Sequence, residues 1–146
     1  MKKTSKVKVL KKSKKVLVPR TRNANTLTES EYFGKIRSGL RKTFMYWKPM
    51  MIALKNASRP SQNLENKRLK TEYQCNDCKG WFARKYVEIN HNIEVGSLRC
   101  YEDIVPFIQR LTCEDVNGYT ILCENCHQKL TNESRIEKKV KKYLED

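Results

Sequence analysis

The chain has 146 residues, room for one domain or for one compact domain with an appended arm. Thirty-one Lys and Arg stand against sixteen Asp and Glu, a formal net charge of +15 that favours a polyanionic partner through counterion release and steering. No run approaches the roughly 18–20 apolar residues of a membrane span. Residues 15–20 (KVLVPR) are too short for a signal-peptide core, so a soluble, cytoplasmic protein is expected.

Residues 1–23 hold ten Lys or Arg and no acid, and such a block repels itself. The expectation is a basic disordered arm that lies on phosphates; a solvated tail, or a stretch that orders inside a larger assembly, reads the same way in sequence. A helical segment covers 24–60. Thr28 followed by Glu31 fits a capping box, and Tyr32, Phe33, Ile36, Leu40, Phe44 and Trp47 then recur at or near helical spacing. That stripe predicts a core face. The basic face opposite, with Lys35, Arg37, Arg41 and Lys42, is the predicted nucleic-acid contact. Pro49 opens a second helix running to Asn56, and Ser58-Arg59-Pro60 ends it. Residues 61–71 read as a linker or a frayed helix.

From residue 72 the character changes. A hairpin over 73–87 bears Cys75-Asn-Asp-Cys78, with Gly80 at the bend. A strand over 87–92 and a turn at Gly96 come next, then a short helix over 103–111. A turn at Asn117-Gly118, a strand over 119–122 and a helix from Glu124 complete the 72–131 domain, and a separate last helix is expected within 132–146.

Cys75-x-x-Cys78 and Cys123-x-x-Cys126 can set four thiolates tetrahedrally around one structural Zn²⁺. A redox pair is the competing reading, but the βαβ pattern that usually accompanies one is absent. Cys100 and Cys113 are left over, as buried thiols or as a replacement for one of the four. His127 follows Cys126 directly, and consecutive helical side chains diverge by about 100°. If Cys126 turns to the ion, His127 turns elsewhere. The other histidine, His91, ends the strand in Glu88-Ile-Asn-His-Asn92, a placement that suggests a second site.

YQCNDCKGWF, VEINHNIEVGSL and DIVPFIQRLTCEDVNGYTILCENCHQKLT, within residues 73–131, resemble the small HNH endonucleases of tailed bacteriophages. The likeness extends upstream to FGKIRSGLRK and YWKPMMIALKNASRP, covering most of the chain apart from the arm and the last helix. The resemblance implies a small α+β protein with a ββα-metal core, and a catalytic divalent ion such as Mg²⁺ separate from the zinc. His91 would match the general base, and His127 a ligand of the catalytic ion. Asn90, and Asn117 given a one-residue register shift, are further candidate ligands of that ion.

Three positions depart from the family pattern. Asn90 stands where the family commonly has a ligating Asp, and Glu88, on the same strand face, is placed to compensate. Gly118 occupies the place of the middle Asn, one position after Asn117. Leu130 replaces a Lys three residues after the helix histidine, with Lys129 adjacent. His91 also shares a strand face with Val87 and Ile89, which is the pattern of a core residue unless the strand ends or bulges at Asn90.

The expected activity is metal-dependent hydrolysis or nicking of DNA, with a host cytoplasm as the setting if the gene is a phage's. RNA ranks behind DNA, and a membrane surface leaves the paired cysteines unexplained. A non-catalytic zinc module that binds nucleic acid, within a larger assembly or alone, is the alternative. Oligomeric state is open.

Overall fold

The computed structural model describes residues 17–145, so residues 1–16, most of the expected basic arm, lie outside the described residues. Strands β1 (Arg20–Arg22) and β2 (Leu27–Thr28) pair antiparallel around Asn23, Ala24 and Asn25, all at positive φ. Arg20–Arg22, assigned to the arm on charge alone, is therefore a strand. Local partners outweigh the like charge: both prongs of the Arg22 guanidinium reach Glu29 at 2.7 Å, and Arg20 Nη1 donates to the Thr26 carbonyl.

Helix α1 (Glu29–Thr43) begins with the expected box. Thr28 Oγ1 accepts from the Glu31 amide at 3.2 Å, and the Glu31 carboxylate accepts from the Thr28 amide at 2.7 Å. The stripe is core: Phe33 is buried with Val95, Leu98, Phe107 and Leu111, and Tyr32, Ile36, Leu40 and Phe44 pack around them. Helix α2 (Lys48–Asn56) has Pro49 in its first turn and sends Leu54 into a second cluster with Val87 and Ile121. The corner between the helices is fixed by Trp47. Its Nε1 donates to the Cys113 carbonyl at 3.1 Å, and its ring meets Phe44 edge-on.

Ser58–Pro60, expected only to end α2, is strand β3. It pairs with β4 (Thr71–Gln74), which pairs in turn with β5 (Trp81–Phe82), all antiparallel. Pro60 is tolerated because β3 is an outer strand. Glu72, buried on the central strand, is held by Arg59 and Ser61, and the Arg59 guanidinium lies 3.7 Å from the Trp81 ring centroid. Residues 61–70 between β3 and β4 are bends, turns and coil with no helix, and Thr71, placed in the linker from sequence, opens β4.

Strand β6 (Val87–His91) pairs antiparallel with β7 (Tyr119–Cys123), in register from Val87 opposite Cys123 to His91 opposite Tyr119. The connection between them carries α3 (Ile104–Leu111), whose Phe107 is fully buried. Helix α4 (Glu124–Glu145) starts the residue after β7 and packs on both strands. The separate last helix expected within 132–146 is instead the continuation of α4, since no Gly or Pro interrupts 124–145. Ile136, Val140 and Leu144 stay exposed on it. The architecture is small and α+β, with a β6–β7–α4 succession backed by the helices that precede it. No helix among the described residues is long and apolar enough to cross a membrane.

Candidate metal centre and adjoining cleft

Cys75 and Cys78 flank a tight knuckle between β4 and β5. Cys75 N–H donates to the Gly80 carbonyl, and the Lys79 amide donates back to the Cys75 carbonyl, with Lys79 at φ 59°. Gly80 is required by closeness: a Cβ there would lie 2.8 Å from the Phe82 ring. The Asn76 amide donates to the Ile121 carbonyl at 2.7 Å, which ties the knuckle to β7. Cys123 closes β7, and Cys126 lies in the first turn of α4.

All four sulfurs fall within 4.8 Å of one another. A tetrahedral ion with metal–sulfur bonds of about 2.3 Å requires sulfur–sulfur edges of about 3.8 Å, and Cys78 Sγ lies 3.9 Å from Cys123 Sγ. The donor set therefore fits a metal ion. Burial pushes the Cys75 thiol up, but the amides of Cys123, Cys78 and Asp77 together bring it down to about 7. Cys126 is raised, by the Asp77 carboxylate first and the Cys123 sulfur next. Sulfurs this close ionise together only around a cation. Cys100 and Cys113 take no part. Cys100 is exposed and Cys113 half-buried, so the expectation of two buried thiols is corrected.

Past Cys126, α4 turns His127 toward β6, where Nδ1 lies 2.9 Å from Glu88 Oε2. A carboxylate only accepts, so Nδ1 carries a proton, and in the neutral ring Nε2 is the nitrogen with the free lone pair. Strand alternation puts Glu88 and Asn90 on one face, while Val87 and Ile89 turn into the second cluster. The pairing stays regular through His91 opposite Tyr119, so that ring lies on the Val87–Ile89 face, away from Glu88 and Asn90, and is half-buried where the strand ends. His91 Nε2 lies 3.2 Å from the Leu111 carbonyl, and Tyr119 packs edge-on at 5.0 Å between centroids. The carbonyl again fixes the tautomer, leaving Nδ1 as the free base. Burial holds His91 below the ordinary imidazole range; the Leu111 carbonyl partly opposes this, and the Arg41 charge adds to it.

Glu88, Asn90, His91 and His127 line one cleft of about 970 Å³, with Arg37 and Arg41 from α1 on its wall. Arg99, Arg135 and Lys138 extend that wall. Arg37 and Arg41 sit one helical turn apart, and among the described residues no ion pair ties either to a carboxylate. Partial burial, then Arg37, lowers Arg41 from its usual range. Lys35 and Lys42 are exposed on the same helix but do not line the cleft.

Asn90 Nδ2 donates to the His91 carbonyl at 3.2 Å, which leaves Oδ1 as an acceptor. His127 Nε2 and Asn90 Oδ1 are donors the cleft offers a divalent cation, beside the Glu88 carboxylate behind the imidazole and the Glu137 carboxylate, which also lines the cleft. Asn117 stands apart from the cleft. Its amide bonds to Asp115 Oδ1, and its carbonyl accepts from Asn92 Nδ2 at 2.7 Å. Gly118 has its own reason: a Cβ would lie 2.6 Å from Cys113 Sγ.

Sequence reasoning missed Asn92, whose amide donates to the Gly118 carbonyl and whose Oδ1 accepts from Thr120, locking the end of the hairpin. It also missed the Leu111 carbonyl, a backbone atom that no motif reveals. Comparison with family models, curated proteins and solved structures finds no match to this chain.

Proposed function

We propose that this protein is a metal-dependent HNH-type endonuclease that hydrolyses or nicks DNA phosphodiester bonds. The observation that supports the reading is that His91, His127, Asn90 and Glu88 all line one cleft, together with Arg37 and Arg41, which no ion pair ties to a carboxylate among the described residues. The resemblance of residues 33–60 and 73–131 to phage HNH nucleases agrees with it. The four-cysteine ion is a structural Zn²⁺: an all-thiolate tetrahedral set leaves no open position for chemistry. A cytoplasmic setting, where thiols stay reduced, suits those ligands.

His91 Nδ1 takes the proton from a water directed at phosphorus, and its other nitrogen stays anchored on the Leu111 carbonyl. Arg37 and Arg41 receive the phosphate oxygens. His127 Nε2 and Asn90 Oδ1 would hold a Mg²⁺-type ion, which supplies charge stabilisation at the scissile phosphate and leaving oxygen. Glu88 fixes the His127 ring, the role carboxylates commonly play behind ligating histidines. Burial lowers the His91 pKa and so favours the neutral ring, the form a base needs.

Supercoiled-plasmid nicking with Mg²⁺ or Mn²⁺ tests the reading. His91→Ala should slow nicking by about 10²–10⁴-fold, the usual contribution of a positioned base. Equal activity in wild type and His91→Ala ends the catalytic assignment. Asn90, a neutral residue where a carboxylate is common, favours what would then remain, a zinc-containing nucleic-acid-binding protein.

A further inference from the structure

A second concavity of about 410 Å³ opens beside the cleft and shares Arg41, Glu88, Ile89 and His91 with it. Its size falls within the roughly 300–1,000 Å³ span of small-molecule sites. Phe44, Met45, Tyr46, Met50 and Met51 form its outer wall, from the corner where α1 gives way to α2, and Arg84 stands at the rim. The hydrolytic step uses only the Arg41 and His91 edge of this space and gives the Phe44–Met51 wall no role.

The wall is soft and apolar within a strongly basic molecule. Met45 is 47% exposed and Tyr46 74%, yet the corner that presents them is fixed by the Trp47–Cys113 hydrogen bond and the Phe44–Trp47 contact. Such a surface is preorganised and open. Methionine adapts to flat partners of varied outline, and tyrosine offers a stacking face that every base satisfies. Arg41 and Arg84 border the same space and outnumber its one carboxylate, Glu88, which His127 engages, so the complement is a flat apolar group flanked by negative charge. A nucleotide in a strand has that chemistry, and an apolar peptide or an acyl chain does not.

We propose that this pocket takes an unpaired nucleobase next to the scissile phosphate, so that the preferred substrate is DNA with an unstacked nucleotide: single-stranded, bulged or branched. The inference rests on the nuclease reading for where the phosphate lies. A base inside continuous duplex is covered by its neighbours and cannot reach the Tyr46 ring without being turned out, which costs unstacking energy. A base already unpaired avoids most of that cost.

The test uses the full chain and end-labelled oligonucleotides of equal length, fully paired or with a single bulged 2-aminopurine. Dissociation constants come from fluorescence anisotropy without added divalent ion, and nicking is followed in parallel with Mn²⁺. Wild type should bind the bulged duplex about tenfold more tightly than the paired one, the worth of one stacked base, and 2-aminopurine emission should change on binding. Tyr46→Ala and Met45→Ser, both at exposed positions, should each reduce the preference and the emission change while leaving paired-duplex affinity and melting temperature unaltered. Equal affinity for paired and bulged DNA, or a preference that survives in the Tyr46→Ala, Met45→Ser double variant, overturns the pocket. A bulge preference in a protein that nicks neither substrate removes the nuclease reading and leaves the pocket. Nicking without any preference does the reverse.

Discussion

His91 shows how much one hydrogen bond decides. With Nε2 tied to the Leu111 carbonyl, the ring can act as a base only through Nδ1, and only while neutral. Burial, then the Arg41 charge, pulls its pKa down against the partial opposition of that carbonyl, so protonation is postponed to pH values below the ordinary 6.5. An NMR titration, with the two imidazoles assigned through His91→Asn, should place the His91 midpoint below 6.5, and Arg41→Leu should move it upward. A midpoint at or above 6.5 contradicts the geometry. Linkage has the same sign: the unfolded chain binds the proton first, so the contribution of His91 to stability is complete above 6.5 and fades as pH falls. Gly118 illustrates the other kind of single-residue constraint. Gly118→Ala forces a methyl onto Cys113 Sγ and should cost about 1–3 kcal/mol, the usual range for overpacking. Cys113→Ala in the same chain should recover most of that loss in a denaturant melt, because the clash and its relief share one atom. Neither effect was legible in the sequence, where Gly118 reads as a turn residue at the place of the middle Asn and the Leu111 carbonyl as nothing at all.

Elements whose signals are local were legible, and those made by distant partners were not. The capping box at Thr28, the Pro49 start of α2 and the two Cys-x-x-Cys pairs each lie within a few residues, and each is found where it was expected. Strand β3 exists because Thr71–Gln74 comes back to meet it; nothing within Ser58–Pro60 announces a strand. The continuity of α4 was obscured by a change of apolar pattern, although the absence of any breaker was the better guide. The four-cysteine cluster joins the β4–β5 knuckle, the end of β7 and the first turn of α4. Cys75→Ser should abolish stoichiometric zinc by elemental analysis and lower the melting temperature by on the order of 10 °C or more, given that structural zinc contributes several kcal/mol or more. Cys100→Ser, at an exposed sulfur outside the cluster, should change neither. Identical losses in both variants would mean that the four-sulfur group is not the ion site.

On the scale of the molecule, the excess of positive charge was readable from composition, whereas its focus was not. Arg37 and Arg41 reach the cleft while Lys35 and Lys42 stay outside it, a division that depends on where β6 and α4 fall against α1. If the basic surface engages roughly 6–10 phosphates, affinity for DNA should drop about a thousandfold or more between 50 and 200 mM salt. A flat salt response, measured by anisotropy, would remove the polyelectrolyte argument and with it the main reason to assign a nucleic-acid partner.

The junction at Cys123–Glu124 has no slack: the strand hands over to the helix without an intervening loop. One alanine added immediately after Cys126 would leave every sulfur in place and swing the following imidazole about 100° round the helix axis, away from the Glu88 carboxylate. Zinc content would look normal in such a protein, and on the proposed nuclease reading its nicking would vanish. The same alanine placed among residues 62–68, on a surface turn, would go unnoticed. Tolerance to insertion therefore maps which parts of the chain set an angle and which merely connect.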